Sequence, residues 1–138
     1  MSKCYTYVLI KRLEVWAESQ GKLVEEQGGV RKGRSTVDHI FVMILIVEKA
    51  LAKSKDKLYV AFVDFRKAYE SVNRNILWDV LRSAGTGGKM LGALKAMYSS
   101  VVASVRVDAG FVTDELCCPV GLKLGEFTSP LLFSIFFY

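Results

Sequence analysis

Leu58-Tyr59-Val60-Ala61-Phe62-Val63-Asp64-Phe65-Arg66-Lys67-Ala68-Tyr69 places a single carboxylate near the end of an apolar run and follows it with basic, small and aromatic residues. No charge interrupts Leu58 to Val63, and such a run fits a strand covered on both faces better than a half-exposed one. The run therefore predicts a buried strand over 58–65, with Asp64 close to its carboxyl edge. Ligands and metals gather at the carboxyl ends of strands, where the chain turns away and opens a crevice. A buried carboxylate is also expensive unless a cation accompanies it. From this stretch alone the readings stay open: a cation ligand, or an ordinary residue that caps a turn or pairs with Arg66 or Lys67.

The surrounding residues supply the other elements. Tyr5, Val8, Leu9, Leu13 and Trp16 recur at helical spacing, and Gly21 offers a stop, so a first helix is predicted near 3–20. Ser35 and Asp38 have the spacing of a capping box opening a second helix that ends near Lys53. Its apolar body, Ile40 to Val47, is expected in the core. Asn73 or Ser71 caps a third helix whose Ile76, Leu77, Val80 and Leu81 share a face, and Gly85 closes it. A fourth helix carries Leu91, Leu94 and Met97. Alternation from Val101 to Val107 predicts a strand, which Asp108-Ala109-Gly110 turns into a hairpin partner over 111–119. Ser129 is read as an N-cap with Pro130 at the first helical position. Gly85-Thr86-Gly87-Gly88-Lys89 imitates a phosphate loop, but its glycines are too close and Met90 stands where Ser or Thr would hold magnesium.

Composition narrows the function classes. The chain has 138 residues, a formal charge of +5 and a pI near 9.2, a balance that favours a polyanionic partner. Between Glu26 and Asp38 no acid occurs, while Arg31, Lys32 and Arg34 lie among Gly28, Gly29 and Gly33. Glycine lets backbone N–H groups approach phosphate closely, so this is a candidate phosphate-facing loop. The longest uncharged apolar stretch, Ile40 to Val47, is far short of the roughly 20 residues that span a bilayer. No cleavage site follows the N-terminal residues, and an intracellular product is expected, nucleus or cytoplasm unresolved. Cys4, Cys117 and Cys118 form no CxxC pair and read as reduced thiols. No repeat, Pro-rich linker or low-complexity tract divides the chain.

Three blocks carry a family resemblance. Asp64 to Tyr69, Gly121-Leu122-Lys123-Leu124-Gly125-Glu126-Phe127-Thr128-Ser129-Pro130-Leu131-Leu132-Phe133, and Gln27 to Ile40 occur in the order and at the separations of the reverse transcriptase family. The chain resembles in particular the polymerases of non-LTR (LINE-type) retrotransposons, over roughly residues 3–138. The resemblance implies an α+β fold: partial fingers (about 1–57) and palm (about 58–138) of a right-hand polymerase, with an antiparallel palm sheet packed by helices. The last palm strands and the thumb would be lacking.

The same resemblance implies template-directed nucleotidyl transfer with two Mg ions, using an RNA template, a DNA primer and dNTPs. Asp64 and the backbone carbonyl of Phe65 would be metal ligands; Tyr69, Leu124 and Gly125 would face the nucleotide. Arg31, Lys32, Arg34, Ser129 and Pro130 would serve template or phosphate. Departures from the family pattern fall at Leu124, where Gln is usual, at Glu70, where Asp is usual, and at Val30, where Phe is usual. The family's Asp-Asp pair occurs nowhere in the sequence, so the chain alone is expected to be inactive and its end is read as a truncation. Two alternatives remain: a non-catalytic RNA or RNA–DNA hybrid binding module, and a non-functional remnant of a transposable element.

Overall fold

Which apolar stretches find partners decides the architecture. The computed structural model describes residues 2–29, 31–53, 57–107 and 111–137. In chain order the elements are α1 (Ser2–Ser19), α2 (Thr36–Lys53), α3 (Arg74–Ser83), α4 (Gly88–Tyr98), β1 (Val102–Ala103), β2 (Leu116–Cys117) and α5 (Thr128–Phe136). The fold is α-rich with a two-stranded antiparallel sheet.

The core is built around α5, which packs on both α1 and α3, while α3 packs on α4. Leu132 and Ile135 of α5 are fully buried, and Leu9, Leu13 and Ala17 of α1 meet the same cluster as Leu77, Leu81 and Leu94. The segment Leu131–Phe136 is apolar except for the buried Ser134, which suits a helix enclosed by others. The apolar segment 131–136 is thus the centre of the core.

Local signals hold for α1 to α4. Ser35 and Asp38 form the reciprocal box: the Ser35 N–H donates to Asp38 Oδ2 at 2.7 Å and the Asp38 N–H to Ser35 Oγ at 3.3 Å. Asn73 Oδ1 accepts from the N–H groups of Asn75 and Ile76, and Gly85, at φ 94°, ends α3. Asn73→Ala should lower the unfolding free energy by about 1 kcal/mol, read from the urea midpoint, because first-turn donors lose their acceptor.

Three expectations fail. The stretch 58–65 pairs with no strand among the described residues and is not buried; Phe62 is 85% exposed. A strand needs a hydrogen-bonding neighbour, and the described elements offer none beside it. Ile40 to Val47 is likewise not core, with Ile40 59% exposed and Phe41, Val42, Ile44, Leu45 and Ile46 also open to solvent. Capping and apolar content suffice to form α2, but burial needs an opposing face. Finally, α5 starts at Thr128 with Phe127 as its cap residue, so Ser129 is not the N-cap and Pro130 is not its first residue.

The hairpin is shorter than its alternation predicts. Val102 pairs with Cys117 and Ala103 with Leu116, and beyond them, among the described residues, an isolated bridge joins Arg106 to Val112. Thr113 donates its N–H to the Val105 carbonyl and takes the Val105 N–H on its hydroxyl, so Asp114 and Glu115 together face Ser104. This extra residue breaks the ladder. The turn at Asp108-Ala109-Gly110 lies outside the described residues, as does Val30. Among the described residues no helix is long and apolar enough to cross a membrane.

Candidate functional site

The chain leaves 58–65 through Lys67, whose φ of 52° puts a side-chain-bearing residue in the left-handed region. Such a residue costs about 1 kcal/mol or more and persists only where its surroundings fix it. Here the Ser71 N–H donates to the Lys67 carbonyl at 3.0 Å and the Ser71 hydroxyl to the Ala68 carbonyl at 3.1 Å. The tight turn aims the main chain of 69–72 at residues 121 and 122. The Leu122 N–H donates to the Tyr69 carbonyl at 2.8 Å, and the Gly121 N–H to the Val72 carbonyl at 2.9 Å.

Gly121 is required at this junction. Its φ is 84°, and a Cβ there would lie 2.6 Å from the Glu70 carbonyl oxygen and 2.8 Å from Glu70 Cα. Aromatic contacts tie the same segments further on, with the Tyr69 ring 5.0 Å from Phe133 and the Phe65 ring 5.3 Å from Phe137. Tyr69 is half-buried against the core. Two blocks separated by some fifty residues in the sequence are therefore one structural unit.

Beyond Leu122 the chain loops through Gly125, at φ 76°, into α5. Ser129 is buried and its hydroxyl donates to the Lys123 carbonyl at 2.6 Å, bracing the loop from inside. Pro130 sits in the first turn, where its missing N–H leaves nothing unpaired. Leu124 is 66% exposed and lines a groove of about 700 Å³ together with Glu70, Arg74, Ser100, Val102 and Lys123. An apolar side chain here gives a ligand area but no hydrogen bond.

Asp64 lies in the exposed stretch. Among the described residues it forms no ion pair with Arg66 or Lys67 and accepts no hydrogen bond, so neither bland role of this carboxylate is realised. Nor do the described residues gather three or more His, Cys, Asp or Glu side chains into a group able to hold a metal. A hard divalent ion takes six or more oxygen ligands, several of them from carboxylates or water. The donor set around Asp64 does not by itself fit a pair of such ions.

The basic loop is pinned by glutamates. Arg31 grips Glu18 with two parallel bonds, Nε at 3.0 Å and an Nη at 2.8 Å, adds Glu25 at 3.3 Å and donates to the Val24 carbonyl at 3.1 Å. Only 10% of its side chain is exposed. Arg34 pairs with the other Glu25 oxygen. The two cations, Arg31 foremost, hold the Glu25 carboxyl below the usual carboxylate range, and the bond to Glu18 raises Arg31. Gly28 lies against the His39 ring with no room for a Cβ, and Gln27 donates to the Ser134 carbonyl at 3.3 Å. Arg31 thus turns its donors inward, whereas Lys32 is exposed and Arg34 is partly so.

Arg74 escaped the sequence reading. It is the first residue of α3, where the helix dipole disfavours a cation, and that placement was the available signal that it had another partner.

The whole chain, residues 1–138, matches the family described as reverse transcriptase (RNA-dependent DNA polymerase), and the protein belongs to that family. Among its relatives is the retrovirus-related Pol polyprotein from type-1 retrotransposable element R2 of Popillia japonica. The two are 26% identical over 130 residues, which cover 92% of this chain and 17% of the relative. The likeness to a LINE-type reverse transcriptase domain, carried in the sequence by the blocks at 27–40, 64–69 and 121–133, is borne out. No solved structure matches the chain.

Proposed function

We propose that this chain is the portion of a retrotransposon RNA-directed DNA polymerase that carries the first catalytic carboxylate and the nucleotide- and template-facing loop. One observation carries the reading: the main-chain junction of Tyr69 and Val72 with Gly121 and Leu122, which sets the block following Asp64 beside the block leading to Gly125. In this reading 1–57 is fingers-like and 58–138 palm-like, and the partners are an RNA template, a DNA primer and dNTPs inside the cell. Tyr69 lies under the incoming sugar and excludes a 2′-hydroxyl by bulk. Gly125 lets the main chain approach the nucleotide and template, and Leu124 offers the nucleotide an apolar contact where a polar one is usual.

Asp64, with the Phe65 carbonyl, would supply one part of a two-Mg site whose other ligands are not found among the described residues. The open apolar surfaces of 58–65 and α2 are consistent with the portion being a fraction of a longer protein, as it is 17% of its R2 relative.

Lys32 and Arg34 supply the phosphate contacts in this reading, and Arg31 holds the loop that presents them. Binding of a fluorescein-labelled RNA–DNA hybrid, followed by anisotropy across a salt series, tests it. Affinity should fall steeply as salt rises, and Lys32→Ala or Arg34→Ala should each reduce the logarithmic slope by about one unit. Absence of binding, or a flat salt response, would remove the proposal.

A further inference from the structure

We infer that Arg74 is a positioning residue of the candidate site, holding the turn at 120–122, and through it the loop to Gly125, against residues 69–72. The residue is 9% exposed, yet its guanidinium has no carboxylate partner among the described residues. Its donors face main-chain carbonyls instead: Nε to Gly121 at 2.7 Å, one Nη to Val120 at 3.1 Å, the other to Tyr98 at 3.4 Å. The group also stands 5.1 Å from the Tyr98 ring centroid, which spreads part of its charge over a π face.

The peptide at Gly121 is consequently gripped from two sides. Its N–H donates to the Val72 carbonyl and its C=O receives Arg74 Nε, while Leu122 N–H reaches Tyr69. Arg74 follows Val72 and Asn73 directly, so one short stretch supplies an acceptor and a donor to the same turn. The planar fork spans the successive carbonyls of Val120 and Gly121, which a lysine ammonium, one nitrogen on a flexible stem, cannot do in the same geometry. Arg74 and the turn also line the groove together with Leu124. Loss of the guanidinium would leave those carbonyls unpaired beside a backbone already bent to a positive φ.

The inference rests on the reading that 121–125 faces nucleotide and template, and its test separates the two. Amide hydrogen exchange is measured on the full chain as wild type, Arg74→Met and Arg74→Lys; the lysine variant keeps the charge should the methionine variant fail to fold. Protection of the Gly121 and Leu122 amides should fall at least about tenfold more than that of the α4 amides, because the loss is local opening rather than global unfolding. Hybrid affinity of Arg74→Lys should drop roughly tenfold, the scale of a hydrogen bond to a charged group. An equal fall in both regions, or none, overturns the inference, as does a loosened turn with unchanged hybrid affinity. A wild-type chain that binds no hybrid overturns the preceding proposal instead, and the exchange ratio still decides whether Arg74 holds the turn.

Discussion

Gly121→Val is expected to lower the unfolding free energy by roughly 3 kcal/mol, the largest stability effect at the candidate site. Part of the loss is conformational, since a β-branched residue at φ 84° is strained by about 1–2 kcal/mol. The rest is contact. The Cβ position lies 2.6 Å from the Glu70 carbonyl oxygen and 2.8 Å from Glu70 Cα, and these are backbone atoms that cannot swing aside. Relief requires 121–122 to move away from 69–72, which sacrifices the hydrogen bonds to Val72 and Tyr69 at about 1 kcal/mol each. Gly125→Val is the control. Its φ of 76° carries the same conformational strain, but nothing lies within 4 Å of its Cβ position. Urea unfolding followed by circular dichroism should therefore show a clearly smaller shift for Gly125→Val. Equal shifts would mean that the close approach to Glu70 contributes nothing.

The same junction shows what could be read from residue order and what could not. Caps and stops are local, and those at Ser35, Asn73 and Gly85 appear where their spacing predicts them. Periodicity registers a demand for burial without naming the partner. For α5 the demand is met by α1 and α3, while for Ile40–Val47 and 58–65 it is unmet among the described residues. Ser129 illustrates a third limit: a serine before a proline suits an N-cap, yet its hydroxyl is drawn to the Lys123 carbonyl six residues back, a contact that only the folded loop creates. Arg31, expected to face phosphate, instead meets Glu18 and Glu25, which lie outside the acid-free window of its loop. The pairing of the blocks at 64–69 and 121–133 was legible only through family resemblance, since no local rule links Tyr69 to Leu122.

The polypeptide of residues 1–138, given an RNA template, a DNA primer, dNTPs and magnesium, is expected to extend the primer no faster than its Asp64→Asn variant. Holding two divalent ions a few ångströms apart requires enough anionic oxygens to offset their mutual repulsion and replace part of their hydration. Asp64 is one carboxylate on an exposed stretch, the described residues form no metal-holding group around it, and the sequence has no adjacent pair of aspartates. Without such a site, acceleration on the order of a millionfold or more, the ordinary range for enzymes, would lack the electrostatic stabilisation that the ions supply. Gel analysis of labelled primer over hours gives the readout. A polypeptide prolonged by a segment carrying an Asp-Asp pair, able to lie along 58–65, should gain extension that Asp64→Asn abolishes. Asp64-dependent extension by residues 1–138 alone would overturn the argument, because it would require another carboxylate, with Glu70 the nearest in sequence, to swing in and complete the ligand set.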